Sequence, residues 1–336
     1  MNPARCDELD YIDFLVAAQK AFTCTEAARV QPAAAGAAAG DAPAHDSFNR
    51  LLERLPQDTE ALWEESGRLV NLREGVLILD DTTLDKPYAE KMDYVTYHWS
   101  GKHHDVVKGI NLITLLWSDG RALVPTDFRL YNASVDGLTK NDHFTAMLKV
   151  AKGKGFAPSY VLFDGWYSSL ENLKTIRGCG WHFLTRLKGN RLVNPDRVGN
   201  VRVSSVEIQP EGGVVHLKGF GMIRVFRIVS KDGDVEHWAT DDLNMKEAGR
   251  EVLAGDAWGI EVFHRGIKQC CGIERAQVRK GTAVFNHICM SIRAFLRLEV
   301  YRLRTGLSWY ELKARIIRDA IRAYLADPFY LFNPTV

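Results

Sequence analysis

Residues 76–83 read Val-Leu-Ile-Leu-Asp-Asp-Thr-Thr, four apolar side chains running into two carboxylates and two threonines. Such a run suits a buried strand that opens into a polar loop. The pattern returns at residues 160–164, Tyr-Val-Leu-Phe-Asp. Between the two, residues 109–117 and 121–131 are β-rich and flank Ser118-Asp119-Gly120. An Asp-Gly pair between apolar runs is a strong short-range hairpin signal. Residues 139–151 and 168–176 carry helical patterns. A hairpin followed by β-α-β-α elements implies an α/β fold, a mixed sheet covered by helices.

Upstream of this stretch, residues 8–30 read as one or two helices, with Leu9, Ile12, Leu15 and Val16 at helical spacing. The run Pro32-Ala-Ala-Ala-Gly-Ala-Ala-Ala-Gly-Asp41 has too little side chain to build a core and is expected to act as a linker. Residues 46–66 resume as an amphipathic helix with Phe48, Leu51, Leu52 and Leu55 in one stripe. Downstream, short alternating segments at 201–208, 214–217, 224–229 and 237–240, separated by glycines, read as a β-rich insertion. Residues 256–269 and 283–304 look helical again. The expected organisation is a helical N-terminal segment (1–66), a first part of the core (67–180), the β-rich insertion (181–243), and a completion of the core with C-terminal helices (244–336).

Composition excludes several classes. The chain has 336 residues, 46% of them hydrophobic, with 43 Lys plus Arg against 42 Asp plus Glu. No stretch approaches the ~18 apolar residues of a membrane helix, so no membrane partner is expected. The acidic N-terminus, Met-Asn-Pro-Ala-Arg-Cys-Asp-Glu-Leu-Asp, lacks the basic-then-apolar layout of a signal peptide. Six cysteines (6, 24, 179, 270, 271 and 289) form no C-x-x-C, which points to free thiols in a reducing compartment. The near-zero net charge hides an asymmetry. Residues 1–66 carry 5 basic and 12 acidic side chains, residues 261–336 carry 13 basic and 6 acidic. Charge separation of this kind suits an anionic partner for the C-terminal third, or a solvated helix face.

Asp81 and Asp164 each follow an apolar strand, and sites in open α/β sheets gather beyond the carboxyl ends of parallel strands. Neighbouring strands would bring the carboxylates together, where mutual repulsion favours a divalent cation. The plainer reading of either Asp alone is a helix cap. A third carboxylate lies in Trp258-Gly-Ile-Glu-Val-Phe-His-Arg-Gly-Ile-Lys268. At 100° per residue, Glu261, Arg265 and Lys268 fall within about 40° of one helix face, with Ile260, Phe263 and Ile267 on the buried side. That arrangement serves either intrahelical ion pairing or a metal ligand flanked by phosphate-binding cations. His98, His103 and His104 beside Lys102 read as a polar loop, and Cys270-Cys271 as packing residues.

The Asp-Asp-Thr-Thr run, the Leu-Phe-Asp-Gly strand end, Phe183-Leu-Thr-Arg-Leu-Lys-Gly-Asn-Arg191 and Trp-Gly-Ile-Glu-Val-Phe-His-Arg-x-x-Lys-Gln269 resemble bacterial insertion-sequence transposases of the DDE type. Within these, the chain is most similar to the cut-and-paste, insertion-sequence-four-like group, which has a β insertion between its second and third carboxylates. The resemblance implies a ribonuclease-H-like mixed-sheet core, interrupted by that insertion and flanked by helical segments. It implies that Asp81, Asp164 and Glu261 hold two Mg²⁺ ions (or Mn²⁺), with Asp81 taken over Asp80 because it directly precedes Thr-Thr. The apolar run before the pair gives no alternation to separate them. The implied activity is DNA strand cleavage and strand transfer at the ends of the protein's own element. The implied partners are double-stranded DNA, as element ends and target, and a second copy of the chain, in the bacterial cytoplasm and on the nucleoid when DNA-bound.

The same resemblance makes Arg265 and Lys268 contacts to the DNA end and Arg186, Lys188 and Arg191 contacts to its backbone. Some members stack a displaced base on an aromatic ring of the insertion, for which Trp181, Phe220 and Trp238 are candidates, each also a candidate core residue. One departure is that Ala254 and Ala257 stand where the group often has Tyr and Arg. The rival readings are a catalytically silent DNA-binding relic or repressor, and a host nuclease on the same core.

Overall fold

A computed structural model describes residues 5–32, 42–100, 104–230 and 232–328; the small-residue run at 33–41 and His103 lie outside the described residues. The helices are α1 (Glu8–Ala17), α2 (Cys24–Val30), α3 (His45–Arg54), α4 (Glu60–Ser66), α5 (Ala133–Asp136), α6 (Lys140–Gly153), α7 (Leu170–Gly178), α8 (Glu247–Ala257), α9 (Gly259–Cys270), α10 (Gly281–Thr305) and α11 (Trp309–Ala326). The strands are β1 (Val76–Asp85), β2 (Thr96–Ser100), β3 (Asp105–Ser118), β4 (Val124–Tyr131), β5 (Tyr160–Phe163), β6 (His182–Leu187), β7 (Leu192–Asn194), β8 (Val201–Arg202), β9 (Gly213–Leu217), β10 (Gly221–Val229) and β11 (Val235–Thr240). Contacts divide the chain into two compact units, one drawn from 59–90 and 94–264, the other from 1–58, 91–93 and 265–336.

The first unit is built on one sheet, ordered β2-β3-β1-β5-β6-β11-β10-β9-β7-β8, with β4 paired to β3. The Ser-Asp-Gly hairpin forms as expected, joining β3 to β4 antiparallel, and Gly120 takes the left-handed φ of +83° that the turn demands. The two apolar runs that lead into Asp80-Asp81 and Asp164 are parallel neighbours, from Val76 beside Tyr160 to Leu79 beside Phe163. The next strand, β6, is parallel to β5, from Tyr160 beside His182 to Phe163 beside Thr185. So β6, inside the glycine-punctuated segment, continues the same sheet rather than standing apart from it.

One expectation fails here. The polar run after Leu79 is not a loop: β1 continues through Asp80-Asp81-Thr82-Thr83 to Asp85, paired with β3 along its whole length. Cross-strand partners for its polar side chains and the buried Leu84 hold it in the sheet. Val76, Leu77, Ile78 and Leu79 are all buried, because helices cover both faces of this part of the sheet. On one face Phe144 of α6 packs edge-on against Phe163 at 5.1 Å and stacks on Tyr167 at 5.3 Å. On the other, Ile78 lies under the start of α9, 3.9 Å from where a Cβ on Gly259 would stand.

The second unit packs α1, α2 and α3 with α10, α11 and the later turns of α9. Tyr11 bonds His287 Nδ1 at 2.9 Å, Phe295 meets Trp309 edge-on at 4.6 Å, and Gly266 fits against both of the latter rings. The expected single helix over 46–66 is two, α3 and α4, because Pro56 forces Leu55 out of the helical region (ψ 147°). Part of the charge asymmetry resolves as internal pairing in this unit. Acidic Glu8 and Glu53 of the N-terminal segment pair with Arg293 and Lys280. No helix among the described residues is long and apolar enough to cross a membrane.

Candidate active site

The register of the sheet decides which side chains meet. Side chains alternate between faces along a strand, and residues abreast on neighbouring strands share a face. Asp80 is abreast of Thr114, and Thr114 Oγ1 is 2.8 Å from His264 Nε2 of α9, so both stand on the α9 side. Ile78, two residues before Asp80, lies under α9 as well. One step beyond the Leu79–Phe163 pair, Asp164 stands beside Asp80. One step beyond Phe163–Thr185, Arg186 stands beside Asp164, and Trp238 of β11 is abreast of Arg186. A row Thr114, Asp80, Asp164, Arg186, Trp238 thus crosses five strand positions on one face.

Asp81 belongs to the opposite face. Its Oδ2 accepts from Lys140 Nζ at 2.7 Å and from Asn111 Nδ2 at 2.6 Å, and its Oδ1 accepts from Tyr167 Oη at 2.6 Å. Lys140 reaches it because Thr139 caps α6 in a capping box with Asp142, which sets Lys140 as the first helical residue. Tyr167 closes the short helical turn Gly165–Tyr167 that follows β5. Alone, burial would raise the Asp81 pKa, but the Lys140 charge and the three hydrogen bonds outweigh it and hold the carboxyl below the ordinary range. Among the described residues, no cation is paired directly with Asp80 as Lys140 is with Asp81, although Arg186 feels its charge. Burial, then the charges of Asp81, Asp164 and Glu261, push its pKa well above the ordinary carboxylate value.

The remaining carboxylates are open to solvent chemistry. Asp164 caps the following turn through Trp166 N–H at 2.8 Å and faces Arg186 at 3.5 Å. Arg186 also pairs with Glu236 at 2.8 Å, and its guanidinium lies 5.7 Å from the Trp238 ring centre. Glu261 is exposed on the first turn of α9, one turn before His264. Ile260, Phe263 and Ile267 form the buried face of α9, as its spacing predicts. Among the described residues, no three His, Cys, Asp or Glu side chains are gathered tightly enough to hold a metal ion.

The expected DNA contacts fall in different settings. Lys188 is exposed, with its Nζ 4.8 Å from the Trp166 ring centre. Arg191 is half-buried, and one guanidinium nitrogen is buried without a hydrogen-bond partner. Arg265 is exposed, whereas Lys268 is half-buried and paired with Glu274 at 3.1 Å. Of the aromatic candidates, Trp181 and Phe220 are buried in the core and only Trp238 is partly open. His98 is buried against Tyr131, and burial pushes the Cys270 and Cys271 thiols up, as packing residues behave. Two residues of the site escape the sequence reading. Lys140 carries no local signal of its distant partner, and Trp166 is half of an adjacent aromatic pair whose other member, Tyr167, is fully buried.

Asp80 within β1 and Asp164 just after β5 thus stand on the face of the mixed sheet over which α9, the helix of Glu261, is laid. The Transposase DDE domain family matches residues 71–296, well over half of the chain, and the chain belongs to that family. A cryo-EM structure of a piggyBac transposase synaptic complex with hairpin DNA superposes with a TM-score of 0.50 at 11% sequence identity, covering 98% of this chain and 76% of that one. This likeness shows a shared transposase fold of the ribonuclease-H-like kind. A search of curated proteins returned no match.

Proposed function

We propose that the chain is the transposase of a bacterial insertion sequence, cutting and rejoining DNA at the ends of its own element. Family membership supports the class of activity. The observation that carries the site is the shared face of Asp80, Asp164 and the Glu261 helix. On this reading the metal-binding carboxylates are Asp80, Asp164 and Glu261, in place of the Asp81 that its position before Thr-Thr suggests. An all-oxygen donor set in which burial and then neighbouring carboxylates raise the pKa of the half-buried Asp80 suits Mg²⁺ or Mn²⁺. Bound there, two such ions supply charge neutralisation of a phosphodiester and activation of an attacking water or 3′-hydroxyl.

The protein's own groups have separable tasks. Asp81, clamped by Lys140, Asn111 and Tyr167, fixes β1 against α6 and so aims Asp80 at the opposite face. Thr114 and His264 fix α9, and with it Glu261, over the same row. Arg186 tethers Asp164 and offers its remaining donors to a phosphate. Lys188, Arg191, Arg265 and Lys268 supply further phosphate contacts, and two copies of the chain bridge two DNA ends.

The test is a plasmid carrying the gene with its native flanking DNA, incubated with purified protein and Mg²⁺. Cuts at two inverted ends, absent with Asp164→Asn and Asp80→Asn, are the expected result. DNA that is shifted but uncut, identically for wild type and Asp164→Asn, would indicate a binding relic and implicate Ala254 and Ala257. Cutting by Asp80→Asn at the wild-type rate would return the first ligand to Asp81.

A further inference from the structure

The turn that follows Asp164 is fixed on every side but one. Asp164 accepts the Trp166 N–H at 2.8 Å, and Ser168 Oγ donates to Gly165 O at 2.7 Å. A Cβ on Gly165 would stand 2.9 Å from Arg186 O, so the turn lies directly against β6. Tyr167 is fully buried and hydrogen-bonded to Asp81. From this rigid support the Trp166 indole projects into solvent, 59% exposed. Keeping a ring of that size in water is costly, since burial of large aromatics is a chief source of stability. Its neighbours are cationic: Lys188 Nζ lies 4.8 Å from the ring centre, and Arg186 stands at Asp164 itself. An exposed indole with a cation over it, on a fixed backbone beside the acidic row, has the chemistry that single-stranded nucleic acid requires. The ring offers a stacking face to any base, and the ammonium offers a phosphate partner.

We propose that Trp166 and Lys188 form a nucleotide clamp, in which the indole stacks on a base of the unpaired strand at the acidic row and the Lys188 ammonium holds that strand's phosphate. The proposal rests on the DNA-processing reading above. Its ligand is one unpaired DNA strand, recognised without regard to sequence because every base has a π-face. The clamp differs from the ring candidates of the glycine-punctuated segment, since it belongs to the turn that carries Asp164.

The experiment uses the full chain and two fluorescein-labelled probes, (dT)12 and a 12-mer with the same phosphates but abasic sugars, read by fluorescence anisotropy. Wild type is expected to prefer (dT)12. Trp166→Ala should weaken (dT)12 binding about 5- to 150-fold, the range of one lost base stack, and leave the abasic probe unaffected. Trp166→Phe should restore most of the preference. Lys188→Ala should weaken both probes and reduce the salt dependence by about 0.7 of a unit slope. Equal (dT)12 affinities for wild type and Trp166→Ala, or equal losses on both probes, would overturn the clamp. Plasmid cleavage separates the two readings. A chain that cuts element ends but shows no Trp166-dependent preference keeps its function and loses the clamp. A chain with that preference that never cuts keeps the clamp and loses the function.

Discussion

Replacing Lys140 with Met isolates the device that separates two adjacent aspartates. Lys140 Nζ lies 2.7 Å from Asp81 Oδ2, with the two side chains only 17% and 18% exposed. Removing one partner of a buried pair strands the other charge, at a cost of 3–5 kcal/mol when burial is complete. The residual exposure of both groups, and the bonds Asp81 keeps with Asn111 and Tyr167, put the expected loss near the lower end, about 3 kcal/mol. Asp81→Asn should cost about 2 kcal/mol, and the double variant less than the sum by roughly 1–3 kcal/mol, since the two sites are directly coupled.

Urea unfolding followed by the fluorescence of the eight tryptophans gives these values. The sign with pH also follows. Asp81 has a depressed folded pKa, so its contribution is present above the unfolded value near 4 and fades as pH falls through the folded one. The Lys140→Met deficit should therefore shrink in acid. Asp80 is raised, so its ionisation costs stability as pH rises above about 4. Asp80→Asn should accordingly stabilise the metal-free protein at neutral pH and make no difference near pH 3. Added Mg²⁺ discriminates further: at a hundredfold over Kd it should stabilise wild type and Asp81→Asn by about 2.7 kcal/mol and leave Asp80→Asn unchanged. A Lys140→Met protein within 0.5 kcal/mol of wild type, or Mg²⁺ stabilisation lost in Asp81→Asn and kept in Asp80→Asn, would refute the assignment of the two faces.

Three further outcomes are expected. Gly165→Ala should destabilise by about 1–3 kcal/mol in urea and slow DNA cleavage, because its Cβ meets the Arg186 carbonyl at 2.9 Å. Lys313→Met should cost about 2–4 kcal/mol by the same assay, because the buried Lys313 ammonium donates to the Val16, Ala18 and Cys270 carbonyls at 2.7–2.8 Å and those acceptors would lose their partner. Lys268→Ala should flatten the salt dependence of duplex binding by about one unit, as for one lost phosphate contact; an unchanged slope in filter-binding titrations would assign Lys268 to its Glu274 pair alone.

What the sequence discloses follows from how local each signal is. The Ser118-Asp119-Gly120 turn and the apolar stripe Ile260, Phe263, Ile267 depend on residues a few positions apart, and both appear in the structure as read. The choice between Asp80 and Asp81 is invisible locally, because Val76–Leu79 is buried on both faces and offers no alternation. The two residues are set apart by Lys140 and Thr114, 59 and 34 positions from the residues they bond in this pair. The same nonlocality hid the true extent of β1, whose polar half is held by β3 and α6. Charge asymmetry along the chain proved an ambiguous sign of an anionic partner, since Glu8 and Glu53 meet Arg293 and Lys280 inside one unit.

With Asp80 as the strand ligand, as proposed above, its placement on a strand also limits how such a site can drift. Positions that share its face are Ile78 and Thr82, each about 6.6 Å away along β1, whereas metal–oxygen distances tolerate shifts of about 0.2 Å. A carboxylate on this strand can therefore be moved only in steps some thirty times coarser than coordination allows. Sliding the acid to position 81 would trade faces, and sliding it by two would overshoot. Fine adjustment of the site must come from the other side, through the seating of α9, where a helix can slip or rotate by fractions of an ångström. Inheritance would then hold the strand acid fixed in place while leaving the helix acid free to be retuned by whatever packs beneath it.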